Sequence, residues 1–534
     1  MSIIHNLSEG ITLNEKQQEF CNLVTSQQSC CLIGAAGTGK TTAVRNAINS
    51  LVASGVIPKM DCSTGRKGNE KLYKDNYGIC GLAFTRRASS NLSANFPDYL
   101  YSHCMTIHAL LEYEPVEKTG LDENGMIKNT MVFEPQRNSS NPLPSSLKVI
   151  VIDEASMVGT DLFTNLMKAI KHDVQFIFIG DLNQLAPVFG DAVLGYKLLS
   201  LPVIELTEVY RQALESPIIS LAHRILQGKQ ILPPEIESTW KDIDRGEHGN
   251  LTIKRFVAGT DEHAAENISV GFLKQKFLAG EFDPTSDLVL IPFNINFGTI
   301  SVSQGIANFL DEHVGTYPQE IIAGWKKCYF KVGDEVLYKN NEYRISKIVR
   351  NGLYQGEPAR DGSFNRMGRV LTLDAISEAS IDASLAKLNF AYNQDNNKDD
   401  EIANAASHII SLNRVDKDGN LSDKVVHELS SRGQINCLAL NYCTTAHKAQ
   451  GLEANRVFIL LHKLHAKMVS REWLYTAVTR AKHSLTILCE STTFVSGINN
   501  QQIKGNGLAE KAEFFKGRVK EKQTGQQKFL LASH

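Results

Sequence analysis

Cys31-Leu-Ile-Gly-Ala-Ala-Gly-Thr-Gly-Lys-Thr-Thr42 is the stretch on which the reading of this chain turns. A short apolar run feeds a loop that fits G-x-x-x-x-G-K-[ST] from Gly34 to Thr41, and the residues after it predict a helix from Thr42 to Leu51. Glycines let the backbone wrap a polyphosphate and turn successive N–H groups toward it. Lys40 then reaches the β- and γ-phosphates, and the Thr41 hydroxyl holds Mg²⁺. The candidate phosphate-binding set is Gly34, Gly37, Thr38, Gly39, Lys40, Thr41 and Thr42. The bland alternative is a Gly-rich turn between a strand and a helix. The full motif in a strand–loop–helix context favours the nucleotide loop.

Outward from that loop, apolar runs ending in polar residues recur through the first 210 positions: Cys30–Ile33, Ile79–Phe84, Leu147–Ile152, Val174–Ile179 and Val203–Leu206. Short β-rich runs separated by helix-length segments predict a largely parallel sheet with helices on both faces. Ligands sit at the carboxyl ends of such strands. A second series, Leu288–Pro292, Gln434–Leu440, Arg456–Leu461 and Ser484–Leu488, predicts a second α/β core. Three segments interrupt this plan. Lys59 to Tyr77 reads as a polar loop, and Glu112 to Ser146 as turns around a hairpin at Ile127–Phe133. Lys331 to Gly433 reads as a small β-domain with an insertion, most loop-like near Asn393. In the polar tail after Glu490, one amphipathic helix is predicted at Leu508–Lys520.

Two carboxylates close the strand Leu147-Lys-Val-Ile-Val-Ile-Asp-Glu154. Phosphoryl transfer from Mg·ATP needs one acid near the metal and another group to align and deprotonate water. Asp153 suits the first task and Glu154 the second. Acids at strand ends are common, but this pair follows Lys40 in the same α/β series. Phe176-Ile-Phe-Ile-Gly-Asp-Leu-Asn-Gln184 repeats the design, and Gln184 is placed to sense a γ-phosphate. Arg211, in Glu208-Val-Tyr-Arg-Gln212, and Arg480, in Leu474-Tyr-Thr-Ala-Val-Thr-Arg480, offer guanidinium groups to a loose phosphoryl transition state.

Asn441-Tyr-Cys-Thr-Thr-Ala-His-Lys-Ala-Gln-Gly-Leu-Glu453 is rich in small donors and suits contacts to phosphates and sugars. So do Phe84-Thr-Arg-Arg-Ala88 and Thr106-Ile-His108. Gln17 precedes the loop strand, and a Gln amide pairs bidentately with adenine.

Composition narrows the partners. With a formal net charge of −2, no global basicity advertises nucleic acid, so any strand must be held in a local cleft. Ten cysteines without a C-x-x-C pair argue against zinc and iron–sulfur sites and fit a reducing compartment. No apolar run of about 18 residues exists to span a membrane. Residues 1–10 lack a signal-peptide core. A soluble protein of the cytoplasm, the host's if the source is viral, is expected.

In order, these segments resemble the helicase motifs of superfamily 1, from Gln17 to Lys482. Gly180-Asp-Leu-Asn-Gln-Leu-Ala-Pro-Val188, Thr106-Ile-His-Ala-Leu-Leu111 and Thr445-Ala-His-Lys-Ala-Gln-Gly451 resemble the RecD/Dda branch, known as superfamily 1B. The UvrD/Rep branch typically has serine where this chain has Leu185. The resemblance implies an α/β fold of two RecA-like motor domains, with ATP between them and single-stranded DNA across their top. Residues 1–111 with 147–215 would form the first motor domain, and 216–330 with 434–490 the second. Residues 112–146 would carry a strand-separating β-hairpin, 331–433 an SH3-like subdomain, and 491–534 an unassigned tail.

The resemblance also assigns roles. Lys40, Thr41, Asp153 and Glu154 would serve Mg·ATP and its hydrolysis, Gln184 coupling, and Arg211 and Arg480 transition-state charge. Gln17 and Tyr210 would lie at the base, and Gly451 and Glu453 would join the nucleotide site. Thr85, Arg86, Thr106, His108, Asn294, Thr445, His447 and Lys448 would line the DNA strand, with Phe133 at the fork. Arg87 departs from the small residue common at its position. The implied activity is a monomeric 5′→3′ DNA helicase acting on single strands and on single/double-strand junctions, with replication or recombination proteins as further partners. An RNA-directed superfamily 1 motor and a protein-remodelling P-loop ATPase are the alternatives. The first usually lacks a pair like His447-Lys448, and the second leaves the Thr-x-His segments without a task.

Overall fold

All five apolar runs of the N-terminal series become strands of one sheet. In chain order the strands are β1 Cys30–Gly34, β2 Ile79–Ala83, β3 Cys104–Thr106, β4 Tyr113–Leu121, β5 Ile127–Pro135, β6 Val149–Ile152, β7 Gln175–Gly180 and β8 Val203–Leu206. Six of them pair in the order β3-β2-β6-β7-β1-β8, and every pairing is parallel. Period-2 alternation explains why the runs are continuously apolar. Cys31, Ile33, Phe176 and Phe178 enter the core on one face, while Cys30, Leu32, Ile177 and Ile179 enter the core on the other. Fully burying a side chain of this size is worth about 1.5–3 kcal/mol. Polar residues cannot be placed within such strands, so they collect at the carboxyl ends.

The computed structural model describes residues 13–59, 77–97, 100, 103–121, 127–187, 190–207, 216–228, 241–246, 249–315, 317–323, 326–338, 341–354, 368–371, 405–415 and 421–521. Tyr210 and Arg211 lie outside them, as do most of the loop expected at 59–77 and the insertion near Asn393. The chain divides into two compact units, Met1–Arg255 with Ala446–His534, and Phe256–Thr445. Ala454–Leu461, Ala481–Cys489 and Gly249–Arg255 form a parallel set in the first unit, with Lys241–Gly246 antiparallel at its edge. Leu288–Leu290 belongs to the second unit.

In the second unit an antiparallel sheet runs in the order Leu421–Ser431, Ala405–Val415, Asn341–Tyr354, Glu335–Tyr338, Leu438–Leu440. Ile321, Phe330, Val336, Ile345, Ile410, Leu412 and Leu429 share its core. The strand expected over Gln434–Leu440 is corrected here. Ser431 caps a helical turn, Arg432–Asn436, with its hydroxyl accepting from the Gln434 N–H. Only Leu438–Leu440 is extended, and it pairs antiparallel rather than joining a parallel core. A Ser-x-x-Gln capping box reads as a helix start and outweighs the apolar run after it.

Strands β4 and β5 form a separate two-stranded antiparallel hairpin, in register from Tyr113 opposite Pro135 to Leu121 opposite Ile127. Its root is fixed by a buried ion pair, Arg137 Nη2 to Glu112 Oε1 at 3.1 Å, with both side chains at most 3% exposed. Arg137 also donates to Asn141 Oδ1 and to the Pro142 carbonyl. Tyr113 at the root accepts from Asn165 and packs edge-on against His108. A hairpin alone is marginal in water, so this root must hold it.

Arg137→Met strands a buried carboxylate and is expected to lower stability by about 3–5 kcal/mol, read by urea denaturation. Pairing it with Glu112→Leu is expected to recover most of that loss. A single variant as stable as the parent would show that the pair does not hold the root.

Candidate functional site

Because β6, β7 and β1 are neighbours, the Gly34–Thr41 loop, Asp153-Glu154 and Asp181–Gln184 leave the sheet side by side at its carboxyl edge. The loop is shaped by glycine. Gly37 and Gly39 both hold φ of +79°, where other residues are strained. A Cβ on Gly34 would meet Thr38 Oγ1 at 2.5 Å. Thr38 is buried and donates to the Ala35 carbonyl at 2.9 Å, which stiffens the loop from within. The helix that follows is Lys40–Ala53, so it begins two residues earlier than the sequence predicts and includes Thr41 and Thr42 in its first turn. Lys40 Nζ lies back across the loop, donating to the carbonyls of Gly34 at 2.6 Å and Ala35 at 3.0 Å. The Thr41 side chain is exposed.

Gln17 sits behind the loop, fully buried. Its amide oxygen accepts from the Asn14 N–H at 3.0 Å, closing a capping box on the Glu15–Thr25 helix, and its amide nitrogen donates to the Gly39 carbonyl at 3.3 Å. One end of that amide caps its own helix and the other braces the loop.

Glu154 has φ of +48° and ψ of +44°, an uncommon state for a residue with a Cβ, and Asp153 Oδ1 accepts the Glu154 N–H at 2.9 Å. Strain of this kind costs on the order of 1–3 kcal/mol and collects where function fixes a side-chain direction. Burial pushes the Asp153 carboxyl up, and the Glu154 carboxylate beside it adds to the effect. Burial likewise raises Glu154. Arg480 and then Lys40 act against it, and Asp181 and Glu453 reinforce it. Two cations from segments 440 residues apart in the sequence therefore act on one carboxyl. A divalent cation beside Asp153 would reverse the upward push.

Asp181 and Tyr475 are functional candidates that sequence reasoning missed. Asp181 is fully buried; its Oδ1 accepts from the Asn183 N–H and side-chain amide, both at 2.9 Å. Its Oδ2 accepts from the Tyr475 hydroxyl at 2.6 Å, and that hydroxyl accepts the N–H of Ala36 in the glycine loop at 2.9 Å. Tyr475 lies on the Arg471–Val478 helix. In sequence it is one aromatic among apolar neighbours, and only its polar tip hints at a partner.

Two further bonds clamp the turn after β7. The Leu185 N–H donates to Thr476 Oγ1 and its carbonyl accepts from Gln450 Nε2, each at 3.0 Å. Gln184, one residue earlier, is buried with its Oε1 unmatched among the described residues. Arg480 is buried, held by the Thr476 and Leu452 carbonyls and by Thr479 Oγ1. Gly451 holds φ of +77° with Ala88 only 2.8 Å from where a Cβ would stand, and its carbonyl accepts from Asn91. Glu453 is exposed and pairs with Lys482 at 3.1 Å.

Residues expected at a nucleic acid fall in several places. Thr85 and Thr106 each cap a helix, accepting from the N–H of Ala88 and of Ala109 at 3.1 Å. Arg86 opens the first of these helices. His108 packs edge-on between Phe84 and Tyr113, and burial lowers its pKa, as it does for His447. Lys448 is exposed. Phe133 is 67% exposed on β5, opposite Pro115. Asn294 and Thr445 belong to the second unit, where Asn294 accepts from Thr299 at 3.2 Å and Thr445 is buried.

Residues 12–239 match the family model of an AAA domain, and residues 440–488 match that of the UvrD-like helicase C-terminal domain. The chain is 25% identical over 481 residues to the ATP-dependent RecD2 DNA helicase of Deinococcus radiodurans, covering 88% of this chain and 48% of that protein. It is 22% identical over 494 residues to the RecBCD enzyme subunit RecD of Buchnera aphidicola, covering 88% of this chain and 71% of that one. It thus spans about half the length of the first relative. Among solved structures, the Pif1 helicase from Candida albicans aligns over 95% of this chain and 100% of its own, with a TM-score of 0.41 and 17% identity. The glycine loop and the acid pair both fall within the AAA-domain match, the UvrD-like helicase match follows far downstream, and with these relatives the chain is similar to superfamily 1 helicases of RecD-like kind.

Proposed function

We propose that this chain is an ATP-dependent DNA helicase that couples hydrolysis to 5′→3′ movement along single-stranded DNA. The observation that carries the proposal is that the glycine loop and the turns at Asp153-Glu154 and Asp181 leave one sheet edge side by side and are tied, through the Tyr475 hydroxyl, to the C-terminal segment that carries Arg480. Hydrolysis that requires groups from both ends of the chain can be made to depend on their relative position, which is how a motor converts chemistry into motion. On this reading residues 1–111 with 147–215 and 216–330 with 434–490 are the motor domains. Residues 112–146 form the separating hairpin and 331–433 the SH3-like insertion, and the protein acts as a monomer.

The site's residues suit Mg·ATP chemically, with an exposed hydroxyl at a helix start and a carboxylate at the adjacent strand end. Thr41 and Asp153 would hold Mg²⁺, which supplies charge neutralisation at the phosphates. Lys40 leaves the loop carbonyls for the β/γ-phosphates. Glu154 orients and deprotonates the attacking water, and Arg480, with Arg211, meets the charge of the transition state. Gln184, its amide oxygen unmatched, exchanges contacts as the γ-phosphate comes and goes. Gln17 braces the loop and turns its amide to adenine, with Tyr210 beside the base and Gly451 and Glu453 closing the site. Thr85, Arg86, Thr106, His108, Asn294, Thr445, His447 and Lys448 hold the strand by its backbone.

Lys40→Ala is expected to abolish ATP turnover, since no other cation in the loop replaces it. Glu154→Gln is expected to bind Mg·ATP and stall on its strand; near-normal steady-state hydrolysis by that variant would remove Glu154 from its role. ATPase activity is expected to rise strongly with single-stranded DNA, and DNA affinity to fall as salt rises. Stimulation by RNA instead points to an RNA motor, and indifference to both to protein remodelling. Duplexes with a 5′ or a 3′ tail test the polarity.

Phe133 projects from the hairpin into solvent, where a ring can stack on a base at the fork, worth about 1–3 kcal/mol per base in single-strand binders. Phe133→Ala is expected to leave melting temperature and DNA-stimulated ATPase intact and to slow strand separation. Equal loss of both activities would move the separating element elsewhere.

A further inference from the structure

The tail beyond Glu490 has no role in the motor described above, yet it is built into it. After the Ser491–Asn499 helix the chain is stapled to the start of the Arg471–Val478 helix. The Glu472 carboxylate accepts the N–H groups of Gln502 and Ile503 at 3.0 and 3.1 Å, and Arg471 Nε donates to the Ile498 carbonyl at 2.8 Å. The helix Leu508–Glu521 then lies against the first sheet's core. Phe515 packs edge-on against Tyr196, over Gly195, where a Cβ would stand 2.2 Å from the ring. Arg518 pairs with Asp191 at 3.5 Å.

Between these anchors Lys511 is driven inward. It is 5% exposed, and its ammonium donates to Asn183 Oδ1 and to the Leu182 carbonyl at 3.3 Å. Burial lowers its pKa, and Asp181, Glu472 and Glu205 oppose that shift. An ammonium only donates, so it dictates which way the Asn183 amide faces: oxygen to Lys511, NH₂ to Asp181. Asp181 Oδ1 is thereby filled by two N–H donors, and Oδ2 is left for the Tyr475 hydroxyl. Having donated to Asp181, that hydroxyl has a lone pair free for the Ala36 N–H. Four hydrogen bonds therefore run from the tail to the glycine loop, with Asp181 as the acceptor on which both arms converge.

We propose that Lys511 is a positioning residue for the nucleotide site, acting through Asn183, Asp181 and Tyr475 on the Ala36 N–H of the phosphate loop. The inference rests on the ATPase reading above. Without the ammonium, the Asn183 amide is free to turn, Asp181 loses a donor, and the tyrosine–loop bond loses its fixed polarity. ATP affinity then falls while the hydrolytic groups stay in place.

The test measures ATP kcat and KM at saturating single-stranded DNA for the full chain, K511M, K511R, Y475F and the K511M/Y475F pair, each with its melting temperature. K511M is expected to raise KM for ATP about five-fold, at the low end of couplings between distinct sites, with kcat within about two-fold. K511R is expected to restore KM. The double variant is expected to be no worse than the poorer single variant, because both break one chain. If K511M does not fold, N183A reads the same link and is expected to show the same KM effect. Multiplicative effects of K511M and Y475F, or a loss that tracks melting temperature with no split between KM and kcat, would overturn the proposal. A parent protein that hydrolyses no ATP with DNA would overturn the ATPase reading instead.

Discussion

The Asp181 carboxylate has no exposure to water, and the proposed nucleotide site is organised around that constraint. A buried carboxylate must be met by donors or become too costly to keep. Here the donors come from its own turn, through Asn183, and from residue 475, almost 300 positions later. The bond at 2.6 Å to the Tyr475 hydroxyl thus draws the C-terminal segment onto the turn after β7. The same hydroxyl accepts from the glycine loop, so one carboxyl fixes two elements at once. Leu185, held by Thr476 and Gln450, repeats the connection a few residues along.

The site is preorganised, and the cost is carried by the fold. Glu154 stands in a left-handed conformation that a free chain would avoid, with its carboxyl and that of Asp153 raised by burial. Six parallel strands with cores on both faces supply the stability that holds this strained turn in place. Arg480 is held by two carbonyls of its own segment and by Thr479 Oγ1, which fixes the orientation of its charge. The hairpin shows a similar division between a rigid base and an exposed strand. Its root is a buried ion pair, and its exposed strand carries Phe133.

Much of this was legible in the residues themselves. The tight turn was signalled by its glycines: those at 37 and 39 permit the left-handed backbone angles found there, and Gly34 leaves no room for a Cβ beside Thr38. Continuous apolar runs separated by helix-length segments announce a parallel sheet, since strands covered on both faces have no polar side. The C-terminal helix was visible from periodicity, and turn residues pointed to a hairpin in this region, but the stretch expected to form it, Ile127–Phe133, is only its second strand, paired with Tyr113–Leu121. The Gln434–Leu440 run misled because local capping by Ser431 and Gln434 outweighs a short apolar stretch.

What the sequence determined by itself is chemical identity: which residue types are present, in which strand–loop–helix context, and therefore which substrate class is proposed for the loop. Strand order was decided only by the tertiary structure, and with it the adjacency of β6, β7 and β1 that brings the loop, Asp153-Glu154 and Asp181 together. So were the partners of Asp181, Tyr475 and Lys511. A lysine in a polar tail and a tyrosine in an apolar helix carry no local signal of their partners, because a hydrogen bond between residues hundreds of positions apart depends on how the chain is packed. The sign of Glu154's backbone angle is likewise a property of the packed turn, since an isolated Asp-Glu pair has no reason to adopt it.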